Sequence, residues 1–269
     1  MQSRQKDLTV SIVTYNPGSM ILQCLESIFS NPPPLEFEVH VVDNDSRDGT
    51  CALLQERFPQ IHLVRNRKNV GYARANNQVI LGSQSQYVLV LNPDITVLRG
   101  SLGRMVRYME DHPDVGVAGC RLVYPDGRLQ LSCRRFPTVT TFLLRGLHLD
   151  GLLREKRIMQ AYLLEREDHR SDLEVDWCLG SCLLLRRRAL DDVGPLDGRY
   201  FMYYEDIDLC QRMRLAGWKV AYIASAEMIH HYRRLSAAIP PNRYSLYHLK
   251  SAVHYFWKFR KERGLRTWI

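Results

Sequence analysis

Three carboxylates crowd into four residues at Glu205, Asp206 and Asp208, directly after the aromatic run Tyr200-Phe201-Met202-Tyr203. Acids this close repel one another, so without a positive partner at least one resists ionisation. Apolar rings beside them raise carboxyl pKa values further, which suits a general base. The same residues also suit a solvated helix N-terminus, where the macrodipole favours acids, and the stretch alone leaves both readings open. On a helix starting near Glu205, successive side chains turn by about 100°, so the three acids cannot all face one pocket. Asp208 lies inside the helical pattern, four residues before Arg212, and is expected to pair with it. Glu205 is expected to orient its neighbours or touch an acceptor, and Asp206 to face the cleft.

Other polar clusters follow apolar runs. Residues 8–14 (LTVSIVT) are β-branched and apolar, the signature of a buried strand, and end in Thr14-Tyr15-Asn16. Residues 38–42 form a second strand ending in Asp43-Asn44-Asp45, and 61–64 a third. Residues 87–91 (YVLVL) form a fourth that runs into Asn92-Pro93-Asp94. Helical spacing is expected over 19–30, over 48–58 and from Asn69-Val70-Gly71 to about residue 81. Strands alternating with helices mean crossover units and a parallel sheet, whose ligands bind beyond the carboxyl ends of the strands. Three polar clusters at successive strand ends therefore make a site. Asp43 is placed to accept from the N3–H of uracil or thymine or from ribose hydroxyls. Asp94 is placed to hold a divalent cation on a diphosphate.

Further on, residues 102–109 read as a helix, 115–118 as a strand and Pro125-Asp126-Gly127 as a turn. Residues 137–170 read as a helical, partly mobile excursion near the site. A strand over 180–185, a helix over 187–193, a helix over 205–216 ended by Gly217, and a strand over 218–223 follow. That strand leads to His230-His231. Adjacent histidines point different ways, which leaves one for a ligand and one for structure.

The chain has 269 residues, is 45% hydrophobic and 25% charged, and carries a net charge of +8. Those values are ordinary for a globular protein with a sizeable core, and the basic balance suits an acidic partner. Seven cysteines with no apolar leader at Met1-Gln2-Ser3-Arg4-Gln5 point to reduced thiols in the cytoplasm. Cys178 and Cys182 lack the second pair that a zinc site needs. No apolar run is long enough to span a bilayer. The G-x-G-x-x-G and G-x-x-x-x-G-K-[ST] phosphate loops are absent, which argues against the usual dinucleotide fold and against a P-loop enzyme.

Taken together, VSIVTYN (10–16), VVDNDSRDGT (41–50), NVGYARANN (69–77), VLNPDI (90–95), GSCLLLRRRAL (180–190), DGRYFMYYEDIDLCQRMRLAGWKVAY (197–222) and IHHYRRLS (229–236) resemble the family 2 inverting glycosyltransferases. Within them the chain looks most like bacterial rhamnosyltransferases. The resemblance implies a GT-A fold, with a mostly parallel central sheet flanked by helices. It implies a glycosyltransferase domain over 1–240, with nucleotide-sugar binding over about 8–118 and the acceptor and catalytic part over about 119–240. A basic and aromatic extension would follow over 241–269. By the same resemblance Thr14, Tyr15, Asn16 and Asp43 would hold the nucleoside, and Asn69, Gly71, Ala75 and Asn76 would lie beside the diphosphate and ribose. Asn92-Pro93-Asp94 stands where the family has its Asp-x-Asp motif. Asn92 would remain near the nucleotide, leaving Asp94 as the main carboxylate for Mg²⁺ or Mn²⁺, joined by His230, with His231 as second choice. Trp177, Gly180 and Ser181 would meet the acceptor. Asp206 would be the base and Glu205 its catalytic neighbour. The implied donor is dTDP-β-L-rhamnose, with UDP-galactofuranose, UDP-GlcNAc and UDP-glucose as alternatives. The implied acceptor is a bacterial surface glycan or a polyprenyl-linked acceptor.

Three other classes compete. An inactive nucleotide-sugar-binding protein would be expected to lose its acids, yet Asp43, Asp94, Glu205 and Asp206 are all present. A nucleotidyltransferase would need a Gly-rich loop after the first strand, and Tyr15-Asn16-Pro17-Gly18 is not one. A nucleic-acid binder would be expected to cluster its basic residues, and here they are spread out. The stretch 244–268 mixes aromatic with basic residues. It suits either an anionic membrane surface, at the inner face of the cell membrane, or a helix packed on the catalytic domain.

Overall fold

The computed structural model describes residues 6–146, 153–231 and 242–261. Its first half alternates as the apolar runs require. The elements are β1 (Leu8–Thr14), α1 (Met20–Ser30), β2 (Phe37–Asp43), α2 (Thr50–Arg57), β3 (His62–Arg65), α3 (Tyr72–Gly82) and β4 (Tyr87–Leu91). A short β5 (Ile95–Val97), α4 (Ser101–Asp111), β6 (Val115–Val123), β7 (Leu129–Gln130) and β8 (Cys133–Arg134) follow. The expected helical excursion is two helices, α5 (Val139–Gly146) and α6 (Leu153–Leu163). Then come β9 (Leu173–Glu174), β10 (Trp177–Cys178), β11 (Cys182–Arg186), α7 (Arg187–Val193), α8 (Glu205–Leu215), β12 (Lys219–His230) and α9 (Arg243–Lys258). Arg233, Arg234 and the basic and aromatic residues beyond 261 lie outside the described residues.

The main sheet runs β3-β2-β1-β4-β11-β6-β12-β5. Its first four strands are parallel, and every residue of β1 and β4 is buried, as strands covered on both faces require. β11 enters antiparallel between β4 and β6, so the sheet is mixed. Alternation along β4 sends Tyr87, Leu89 and Leu91 into one core, with α1 and α4. It sends Val88 and Val90 into the other, with α7, α8 and α9. The strand expected over 218–223 runs on to His230. Residues 224–230 alternate between buried and more open positions, a half-covered strand whose small Ala and Ser residues hide its pattern.

Register brings the polar clusters to one rim. Thr14 pairs with Asp43, and Ile12 with Leu91, so Asn92-Pro93-Asp94 emerges beside the end of β1. Cys182 also pairs with Leu91, which puts Gly180-Ser181 at the same rim. His230 pairs with Ile95, immediately after Asp94.

Candidate active site

The base candidate is positioned by a missing side chain. Gly180 N donates to Asp206 Oδ2 at 2.8 Å, and a Cβ on Gly180 would lie 3.2 Å from that oxygen. Ile207 N donates to Asp206 Oδ1 at 2.9 Å. Burial raises the Asp206 pKa, and these two N–H groups with the nearby Arg134 pull it back. Asp206 stays partly open to solvent while Glu205 is buried. Glu205 Oε2 has no hydrogen-bond partner, and burial plus the Asp206 charge push its carboxyl well up. Asp208 pairs with Arg212 at 2.7 Å, as its spacing anticipates. It also accepts from Tyr200 Oη and pairs with Lys258 of α9. The approach to α8 is strained: Tyr203 and Tyr204 both have left-handed φ, 71° and 68°. Such conformations cost roughly 1–3 kcal/mol each and persist only when packing over-determines them. Here the Tyr204 ring is held against His248, Tyr255 and Phe256 of α9.

The second group is Asp94 with His230. His230 is buried and its Nδ1 lies 2.6 Å from Gln130 Oε1, so Nδ1 carries the proton. Its Nε2 faces Asp94 Oδ1, 3.4 Å away, and that oxygen is buried without a hydrogen bond. A neutral imidazole nitrogen and a carboxylate oxygen at this separation suit a divalent cation, whose adjacent ligands in octahedral geometry stand about 3 Å apart. The residues thus fit a metal. His231 is used otherwise: its N–H donates to Asp94 O and its Nε2 lies 3.1 Å from Thr96 Oγ1.

The third group lies at the ends of β1 and β2. Asp43 is buried. Its Oδ1 accepts from Ser46 N at 3.0 Å, and Oδ2 is left without a partner, as is the buried Thr14 Oγ1. Tyr15 is exposed beside them. Asn16 bridges loops, its N–H donating to Ser46 Oγ and its Oδ1 accepting from Arg47 N. Asn69 Oδ1 accepts from Gly71 N in a turn. Gly71 has φ 87° and its Cβ would meet Phe201 O at 2.6 Å, so only glycine lets the 197–204 loop approach. Ala75 and Asn76 depart from their expected place beside the ligand. Both are fully buried on the inner face of α3, and Asn76 spends its amide on Ser11 Oγ and Tyr72 O. Trp177 is likewise a core residue, its indole N–H donating to Arg135 O. Ser181 is buried beside Asn92, whose N–H donates to Ser181 O.

Two residues escaped sequence reasoning. Tyr72 Oη lies 2.7 Å from Gly180 O and 3.0 Å from Asn92 Oδ1, linking the support of Asp206 to the Asn-Pro-Asp segment. Burial, Glu205, Asp206 and Asp94 all push its phenol pKa up, so it stays protonated among three acids. Arg134, stacked on Trp177 at 5.3 Å, is the cation whose field reaches Asp206. Its signal, the pair Arg134-Arg135 before Phe136-Pro137, resembles any surface basic pair.

A family model described as glycosyl transferase family 2 matches residues 9–194. The chain belongs to glycosyltransferase family 2. It is 34% identical over 259 residues to the N-acetylglucosaminyl-diphospho-decaprenol L-rhamnosyltransferase of Mycobacterium tuberculosis, covering 91% of this chain and 83% of that one. It is 31% identical to the rhamnosyltransferase WbbL of Escherichia coli, over 64% of this chain and 62% of WbbL. Among solved structures, a mannosyltransferase from Pyrobaculum calidifontis, in complex with GDP-Man and Mn²⁺, aligns with a TM-score of 0.65. The identity there is 18%, over 96% of this chain and 65% of that one. GalNAc-T7 with UDP, GalNAc and Mn²⁺ aligns at 0.66 and 14% identity, over 95% of this chain and 48% of that one. The fold is GT-A, as expected, and this family 2 member is a glycosyltransferase of rhamnosyltransferase type.

Proposed function

We propose that this glycosyltransferase moves L-rhamnose from dTDP-β-L-rhamnose to a hydroxyl of a glycan acceptor carried on a polyprenyl diphosphate, with inversion. The observation that carries the reading is Asp206, held by two backbone N–H groups and partly open, on the rim it shares with Asp94 and His230. The names of the rhamnosyltransferase relatives support the sugar and the lipid-linked acceptor. Thr14 Oγ1 and Asp43 Oδ2, both buried without partners, are suited to the nucleoside: a carboxylate accepts the N3–H that thymine and uracil share.

In the reaction the acceptor oxygen attacks the anomeric carbon, and the bond from that carbon to the diphosphate breaks. The electron pair leaves with the nucleoside diphosphate, and the acceptor proton goes to the Asp206 carboxylate. No covalent intermediate is needed. Asp94 and His230 would hold the divalent cation, Mg²⁺ or Mn²⁺, which supplies charge stabilisation at the leaving diphosphate. Gly180 fixes the base, and Tyr72 ties that support to Asn92. Glu205, kept neutral, lowers the negative charge that an incoming diphosphate meets.

A donor screen tests this. dTDP-rhamnose should give the largest thermal shift and the fastest slow hydrolysis among nucleotide sugars, and Asp43→Ala should remove most of the shift. NMR of the product should show the anomeric configuration opposite to the donor's. Unchanged dTDP binding by Asp43→Ala would move the base pocket elsewhere, and a retained configuration would exclude the mechanism.

A further inference from the structure

Far from the cleft, β2 and β3 put three metal-ligating side chains together at the sheet's edge. We propose that Glu38, His40 and His62 form a surface zinc site that clips the edge strand β3 to β2. His40 and His62 are directly opposite partners in the parallel pair, and Glu38 precedes His40 by two residues, on the same face. Their donor atoms all lie within 4.8 Å of one another. Glu38 Oε1 stands 3.0 Å from His40 Nε2, and Glu38 Oε2 stands 3.8 Å from His62 Nε2. A tetrahedral zinc with bonds near 2.0–2.1 Å needs ligand atoms about 3.3 Å apart, a spacing that falls within the 4.8 Å span of these three groups. The imidazoles stack at 4.5 Å with 24° between planes.

The surroundings match what a ligand set needs. Thr9 Oγ1 of β1 donates to Glu38 Oε1 at 2.9 Å, which orients the carboxylate, and Thr9 is held in turn by the Ser83 and Ser85 hydroxyls. His40 Nε2 is buried and makes no well-aligned hydrogen bond. Two imidazoles and a carboxylate suit zinc and are poor ligands for Mg²⁺. Glu38 precedes Asp43 by five residues, about 16 Å along the strand, so this site is separate from the Asp94–His230 pair. It pins a strand of four residues, three of them exposed, at the sheet's edge.

The test is zinc binding by the metal-free full chain in excess Mg²⁺, measured with a chromogenic competitor. We expect one equivalent of Zn²⁺ at micromolar affinity, with a rise in melting temperature. His62→Ala removes an exposed ring and should weaken binding roughly 10-fold or more. It should leave donor hydrolysis unchanged, whereas Asp94→Ala should keep the zinc. No uptake at micromolar zinc overturns the proposal, as does undiminished binding by His62→Ala. Loss of the zinc in Asp94→Ala overturns it too, because the ion would then sit in the cleft.

Discussion

Glu205 and Asp206 are adjacent, yet exposure and hydrogen bonds separate them: Glu205 is buried and Asp206 is partly open. Asp206 accepts from Gly180 N and Ile207 N, bonds that favour its charged form. Glu205 Oε2 has none, and the Asp206 charge opposes its ionisation. As pH rises, Asp206 therefore ionises first and Glu205 keeps its proton. In its proposed role as base Asp206 works only when ionised, so turnover should fall on acidification. The midpoint should lie above the ordinary aspartate value of about 3.9, because burial raises the folded pKa. Glu205→Gln resembles the protonated acid and should stay within about 5-fold of the parent in kcat. Asp206→Asn cannot take a proton and should lose roughly 10²-fold or more, the scale of general-base catalysis, while still binding dTDP. Steady-state kinetics of the two variants across pH decide the assignment. If Glu205→Gln is as inactive as Asp206→Asn, the base role passes to Glu205.

At the scale of elements, α9 supports the acidic helix α8. Lys258 reaches Asp208 and, at 2.8 Å, Asp197, while Tyr255 and Phe259 are buried beside α8. Burial would raise the Asp197 pKa, but hydrogen bonds from Arg199 and Lys258 outweigh it and hold the carboxyl well below its usual range. A depressed folded pKa stabilises above the unfolded value, and that stability is lost as pH falls through the folded value. Lys258→Met should cost about 1.5–3 kcal/mol, the worth of charged hydrogen bonds. Its melting temperature should also decline less on acidification than the parent's. Calorimetry across about pH 3–7 checks both, and a parent-like melting curve would mean that α9 is held by its rings alone. Little of this could be read from the sequence. β1 and β4 were legible because their β-branched runs and polar ends are local signals, and so was the Asp208–Arg212 pair. The antiparallel entry of β11 was not, since strand direction depends on partners far along the chain. Tyr72 was hidden for the same reason: its role lies in a carbonyl 108 residues away. Ala75 and Asn76 were set beside the diphosphate and ribose by the family resemblance of NVGYARANN alone, and helical periodicity turns both into the core.

For the whole molecule, the remaining matter is where it works. No helix among the described residues is long and apolar enough to cross a membrane. A polyprenyl-linked acceptor would nevertheless hold the enzyme to a bilayer surface, and α9 has a face suited to that. Its inner side packs on α8, the arrangement expected of a helix docked on the catalytic domain. Its outer side exposes Leu246 (49%), Leu249 (49%), Val253 (61%) and Trp257 (61%), at the spacing of one helical stripe. Arg243, Lys250, Arg260 and Lys261 lie on that same open side, and no Asp or Glu occurs between residues 228 and 261. Arg260 stacks on Trp257 at 4.2 Å, an arrangement that presents cation and ring together. Apolar insertion together with about 1 kcal/mol per basic side chain near an anionic leaflet should give reversible, salt-sensitive binding. In flotation with vesicles rich in phosphatidylglycerol, the protein should rise with the lipid at low salt and be released at high salt. It should stay behind with neutral vesicles. Val253→Glu with Trp257→Glu changes only exposed positions, so the fold and the hydrolysis of soluble donor should persist while flotation is lost. Failure of the parent to float at low salt would leave α9 as a brace for α8 and nothing more.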